Sequence, residues 1–298
     1  MKKHPALPYV LLTFCAFFWA GSSVVGRHVA GEVPPLGLNF WRWLFAFLIV
    51  LTWTWRELYD HRALVLRKWK YISFLALSSA IGFGALHYVA LQYTTAINGA
   101  LFQGLMSICI LVTALIILGE KFGLREGTGV TLGFVGVVCI VMQGDLQILV
   151  SLTFNIGDII LLLATMSYSV YAVYLRRAPP ELSASALMTG MFGFAALLML
   201  PIWLIEVYVF DRTVPVNVTA LWSIGFMTIG PSVLAQIFWA YSVSKVGPGR
   251  AGYFIYLAPM FGVLMGTSLL GEIFYWYHAV GIALIFTGIW LATRKQVA

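Results

Sequence analysis

Ten apolar stretches, each about as long as one bilayer crossing, follow one another with only short polar breaks, and this succession constrains the chain more than any motif in it. A spanning helix needs roughly 20 apolar residues to cross a hydrocarbon core. The stretches run near Leu7–Gly26, Leu36–Trp55, Tyr71–Gln92, Ala96–Leu118 and Leu124–Met142, then near Ile156–Leu175, Ala184–Val207, Val218–Ser244, Ala251–Leu270 and Phe274–Thr293. They leave no room in 298 residues for an extramembrane domain. Composition agrees: 61% of the residues are hydrophobic, 10% are charged and the mean hydropathy is +0.92, too little polar surface to cover a water-soluble globule. Soluble enzymes, nucleic-acid-binding modules and secreted disulfide scaffolds are thereby excluded. Cys15, Cys109 and Cys139 all lie inside apolar runs with no CxxC spacing, so neither a disulfide framework nor a thiolate metal site is expected. Lys2-Lys3 and the apolar run after them have the form of a signal peptide, but with no soluble domain to export the run is expected to stay as the first span.

The net charge of +7 is distributed by side. With the N-terminus placed in the cytoplasm, fifteen of the eighteen basic residues fall in cytoplasmic segments, Arg27 and Arg212 fall outside, and Arg42 falls within a span. That asymmetry is the positive-inside pattern, and it predicts an N-in, C-in protein; the location expected is a plasma membrane, the bacterial inner membrane. The basic segment Arg56–Lys70 then lies at the cytoplasmic surface as a topological tether. The charge calls for no nucleic acid; the partners expected are the lipid bilayer and a small-molecule substrate.

The two halves repeat one another. Leu118-Gly119-Glu120 recurs as Leu270-Gly271-Glu272, and at the same offset of 152 residues Gly129 pairs with Gly281, Gly136 with Gly288, Phe102 with Phe254 and Leu105 with Leu257. Trp19-Ala20 followed by Arg27 matches Tyr168-Ser169 followed by Arg176 at an offset of 149. The expected units are residues 1–143 and 144–298. Five helices are an odd number, so the second unit must enter the membrane in the opposite direction. Inverted repeats of this kind are a device of secondary transporters.

With Phe40-Trp41-Arg42 in the second span, the early Trp19, and the Gly-Glu followed by glycines nine and sixteen residues later, the chain resembles the EamA family of the drug/metabolite transporter superfamily over nearly its whole length. The resemblance implies an all-α integral membrane protein of ten transmembrane helices, arranged as two inverted five-helix repeats around a central cavity, that most often exports small metabolites. The second half has no counterpart of Arg42 in the span from Ala184.

Polar side chains within lipid are costly and tend to face a cavity or a neighbouring helix. Arg42 reads either as a receiver of a substrate carboxylate or as a structural cation bonded to nearby carbonyls. His87 reads as a proton site or substrate donor, or as a neutral packing residue. Tyr88 and Gln92 share a face beside it, Asn98 and Gln103 open the fourth span, and these five are expected to form a polar vestibule. In the second half Asp158, Thr165 and Tyr168 follow one helical face with Tyr171 a turn beyond, Gln236 and Trp239 share a face, and so do Tyr253, Tyr256 and Met260. Trp19 would complete an aromatic lining suited to an amphipathic metabolite. Glu120 and Glu272 are expected to be structural.

Gly129, Gly133 and Gly136 suit close helix contact within the chain or the seam of a homodimer, and Pro231, Pro248 and Pro259 mark kinks. No HExxH, DDxxD, GxxxxGK[ST] or CxxC is present, so no catalytic set, metal or cofactor is expected. The function expected is export of small amphipathic metabolites, amino acids or related zwitterions first among them, by alternating access. Alternatives are a multidrug exporter of aromatic cations and, from another class, a non-transporting scaffold or an intramembrane enzyme built on His87 and Ser107.

Overall fold

The structure is a computed structural model that describes residues 6–94, 96–150, 155–269 and 273–293, without the side chains of residues 27, 96–98, 100, 146, 149, 266 and 269. Leu270-Gly271-Glu272 of the repeat therefore lies outside the described residues. All regular structure among those described is helical. We number the long elements α1 Leu7–His28, α2 Pro35–Asp60, α3 Trp69–Ala90, α4 Ala96–Leu118, α5 Leu124–Met142, α6 Ile156–Arg176, α7 Ala184–Tyr208, α8 Val218–Val246, α9 residues 248–269 and α10 Trp276–Thr293. Nine of these contain a stretch long and apolar enough to cross a membrane. Exposed Trp53, Trp55 and Trp69 near one end, and Tyr208, Trp222 and Trp276 near the other, are the belts that amphipathic rings form at two membrane interfaces.

The exception is α9, where the expected helix from Ala251 is broken into a short helix Pro248–Gly252, a 3₁₀ turn Tyr253–Tyr256 and a helix Leu257–Leu269. Pro259 explains the break: it has no N–H to bond the Ile255 carbonyl, and its ring crowds that carbonyl. A second proline acts in α8. Pro231 leaves the Met227 carbonyl without its partner, the backbone widens to a π-helix over Thr228–Leu234, and the Ser232 hydroxyl donates to the Met227 oxygen at 2.8 Å. A π-helix at Leu77–Ala85 interrupts α3 at the corresponding place, 151 residues earlier. Both flank the central cavity.

Helix packing follows the numbering of the halves. α2 lies along α7 and α5 along α10, each against the helix five places on. Four further contacts form exchanged pairs: α1 with α8 and α6 with α3, α1 with α9 and α6 with α4. In the α5–α10 seam a Cβ on Gly129 would lie 2.5 Å from the Gly288 carbonyl oxygen and one on Gly136 would lie 2.7 Å from that of Gly281. The stripe of small residues lets two backbones touch inside the chain, so it is not free to serve as a dimer seam.

The α2–α7 pair is fastened at both ends by carboxylates 149 residues apart in sequence. Pro34 gives α2 no side-chain cap, and Glu206 at the end of α7 supplies one, accepting from Leu36 N at 3.1 Å and Gly37 N at 2.6 Å. At the opposite end Glu57 of α2 accepts from the Ser185 hydroxyl in the first turn of α7. A hydrogen bond to a charged group contributes about 1.5–3 kcal/mol net of water, and the cost of burying the carboxylate offsets part of the sum for the two here. Glu206→Ala is therefore expected to lower stability by about 2 kcal/mol, read as a drop in the thermal unfolding midpoint of purified protein; an unchanged midpoint would show that the cap does not hold the pair.

Candidate substrate site

α1, α2, α3, α4, α5, α6, α8 and α9 converge on a cavity that opens at the end of the molecule carrying Val33, Gln92, Thr94, Gln143 and His278. This outer part has a volume of about 340 Å³ and walls that are mostly apolar, among them Val24, Leu38, Leu91 and Val263. Ser23, His87, Tyr88 and Gln103 line both it and a narrower inner part of about 40 Å³, which ends on Trp19, Arg42, Phe83, Tyr168 and Gln236. Beyond that floor the opposite end is shut: Tyr9 stacks on Phe254 with centroids 5.6 Å apart, Ser242 Oγ donates to the Pro8 carbonyl at 3.0 Å, and Ser107 Oγ donates to that of Gly252 at 2.8 Å.

Arg42 is 7% exposed, and its guanidinium donates from Nη1 to the Tyr88 hydroxyl oxygen at 2.7 Å. Tyr88 is held in turn by Ser22, with the two hydroxyl oxygens 2.9 Å apart. The rings of Trp43 and Tyr88 stand 5.1 and 5.5 Å from the guanidinium carbon. No carboxylate pairs with Arg42 among the described residues, and its Nε is buried without a partner. His87 stacks on Phe83, centroids 5.2 Å apart. Trp19 stands edge-on to Tyr168, with centroids 5.8 Å apart, and Trp239 lies behind both.

Of the residues singled out from sequence, Trp19, Arg42, His87, Tyr88, Gln92, Gln103, Tyr168 and Gln236 line this cavity. The Asn98 side chain lies outside the described residues. Four others do not reach the cavity. Tyr171 is fully buried and donates to Gln236 Oε1 at 2.9 Å, which orients that amide rather than touching a solute. Trp239 is a fully buried packing ring. Tyr256 packs on Gly133 of α5, and Tyr253 faces a separate cleft at the closed end with Glu120, Lys121, Phe122, Glu126 and Arg250. The break in α9 turns that face away from the centre.

Asp158 is also a structural residue. It caps α6, accepting from Asn155 N at 2.9 Å and from the Thr94 hydroxyl at 2.5 Å. Glu120 lies against the turn between α8 and α9, where Gly247 adopts φ +86° and a Cβ would come within 3.1 Å of its carboxylate. Burial raises the Glu120 pKa above the usual carboxylate range, offset in part by Arg176, Arg250 and the Gly249 N–H.

The EamA-like transporter family matches residues 6–142 and 155–294. The chain belongs to this family. An uncharacterized transporter of Archaeoglobus fulgidus is 27% identical over 97% of this chain and 98% of its own length, and the uncharacterized transporter YyaM of Bacillus subtilis is 24% identical over 96% and 93%. A solved crystal structure superposes with a TM-score of 0.78 over 95% of each chain at 19% identity, which is a likeness of fold.

An EamA-like transporter needs a solute path rather than a catalytic set, and the Ser–His pair of the enzyme alternative is not assembled. Ser107 commits its hydroxyl to Gly252 and lines neither part of the cavity, while His87 has no hydrogen-bond partner among the described residues. Sequence reasoning missed Ser22, Ser23, Ser79 and Met106 of the inner lining. The signal for the first two was available: they follow Trp19 at i+3 and i+4, on its own helical face. Asn39, fully buried one turn before Arg42, was missed as well; its amide donates to the Ala80 carbonyl at 2.9 Å and ties α2 to the π-helix of α3.

Proposed function

We propose that the chain is a secondary transporter that exports small amphipathic metabolites by alternating access, with amino acids and related zwitterions as its substrate class. The observation that carries this reading is the buried guanidinium of Arg42, which pairs with no carboxylate among the described residues, at the inner end of a cavity whose outer walls are mostly apolar. Burying an isolated cation costs several kcal/mol, and a substrate carboxylate docking there offsets that cost while its side chain occupies the apolar walls. The exchanged helix contacts and the recurring Gly pairs support two inverted five-helix repeats, residues 1–143 and 144–298, that rock about this site. The excess of basic residues at the closed end supports placing that end, with both termini, in the cytoplasm of a bacterial inner membrane, so the described state opens outward. The π-helical segments of α3 and α8 are the places where the lining helices give most readily.

The competing reading, export of aromatic cations, draws on the same rings through cation–π contacts but must place a cation beside Arg42 with no carboxylate among the described lining residues to balance it. Efflux from proteoliposomes loaded with amino acids, nucleobases, sugars, polyamines and aromatic cations, with and without a pH gradient, separates the two. Selective loss of amino acids is expected. Selective loss of the cations would replace this reading with the drug-exporter one, and a response to the gradient would give His87 a role in coupling.

A further inference from the structure

The inner end of the cavity holds a fixed positive charge together with unspent hydrogen-bond donors, and this goes beyond the presence of Arg42. A guanidinium donates only, and here Nε is left over after Nη1 has bonded Tyr88. The Tyr168 hydroxyl, 2% exposed and lining the same space, has no partner. Tyr171 occupies Gln236 Oε1, and that leaves the N–H groups of the Gln236 amide for whatever enters. The hydroxyls of Ser23 and Ser79 already donate, to the Trp19 carbonyl at 3.3 Å and the Leu75 carbonyl at 2.8 Å. Among the described residues no aspartate or glutamate lines either part of the cavity. The site thus offers unspent donors and a fixed positive charge to an anionic group, but no counter-charge to an ammonium group.

We propose that the inner end is an anion subsite that selects amphipathic monocarboxylates, and that the amino group of an amino acid is dispensable for binding there. The inference rests on the transporter reading above and narrows its substrate class. The carboxylate oxygens accept from Arg42, Tyr168 and Gln236, and the apolar body of the acid lies in the outer 340 Å³ against the aliphatic wall. An α-ammonium group meets aromatic faces and neutral acceptors such as hydroxyl and amide oxygens but no counter-charge among the described residues, and it loses hydration on entry.

The test uses the full-length protein in lipid nanodiscs and isothermal titration with two matched sets: 3-phenylpropionate, L-phenylalanine and phenethylamine, then 4-methylvalerate, L-leucine and isoamylamine. In at least one set the acid is expected to bind as tightly as the amino acid or tighter, and both at least about tenfold more tightly than the amine. Arg42→Met should weaken both carboxylates by about tenfold or more and leave amine binding no weaker, with an unchanged or raised thermal unfolding midpoint showing that the variant is folded; Arg42→Lys, which keeps the charge, should recover part of the loss. An amino acid that binds tenfold more tightly than its matched acid in both sets would reveal an ammonium acceptor and overturn the inference. Tight amine binding without acid binding would also overturn it and leave a transporter of opposite charge preference. If neither set binds and no solute of the efflux panel moves, the reading of the cavity as a substrate site falls as well.

Discussion

Arg42→Met is expected to cut the flux of carboxylate-bearing solutes by about 10–100-fold while leaving the thermal unfolding midpoint unchanged or raised. The first effect follows from the loss of charge-assisted hydrogen bonds worth about 1.5–3 kcal/mol. The second follows because the side chain lost is a buried cation that no carboxylate balances among the described residues, and methionine fills a similar volume without the desolvation cost. The two signs together discriminate. A guanidinium that served only to hold Tyr88 and Ser22 in place would show the reverse, a lower midpoint with flux falling only as folded protein is lost. Transport in proteoliposomes and thermal unfolding of the same preparation read both quantities.

Gly136→Ala and Gly129→Ala are expected to destabilise the protein strongly, at or above the ~3 kcal/mol upper end usual for overpacked sites. The new methyl on Gly129 would meet the Gly288 carbonyl oxygen at 2.5 Å and the Ala292 nitrogen at 2.9 Å, and that on Gly136 would meet the Gly281 oxygen at 2.7 Å. Backbone on both sides of the contact cannot step aside as a flexible side chain can. Gly127, two residues before Gly129 on the same helix, has nothing within 4 Å of its added Cβ. The same substitution there should raise stability by about 0.5–1 kcal/mol. Equal gains at all three positions, measured by thermal unfolding, would mean that helix propensity and not the seam decides the outcome.

The membrane class, the extent of nine of the helices and the family were legible in the sequence because each rests on a local signal. Hydropathy along 20 residues, Gly at matched offsets in the two halves and Phe40-Trp41-Arg42 need no knowledge of what lies across the fold. Arg42 stood out for the same reason, since a charge within an apolar span must have a cause. What stayed hidden depends on partners far away in the chain. That Glu206 is a cap is decided by Leu36 and Gly37, which hydropathy does not connect to it, whereas the capping role of Asp158 has a local signal in Asn155 three residues before it. Helical spacing places Tyr171 and Trp239 on an inward face correctly but does not give depth, and both lie one layer behind the cavity wall. Tyr253 and Tyr256 missed the site because Pro259 breaks the helix on which their shared face was drawn. The serines were passed over because small hydroxyls carry little hydropathic weight, although they complete the lining.

Alternating access through this cavity is tested most directly by thiol accessibility at its two ends. Single cysteines replace Gln92 at the open mouth or Ala251 at the shut end, in a background where Cys15, Cys109 and Cys139 are removed. With the protein in oriented vesicles and a membrane-impermeant thiol reagent, position 92 is expected to react from the outer side and position 251 to be protected. Adding L-phenylalanine should slow labelling at 92 and expose 251 to reagent on the cytoplasmic side. Labelling at both positions that is indifferent to every amino acid and matched carboxylate would contradict the account.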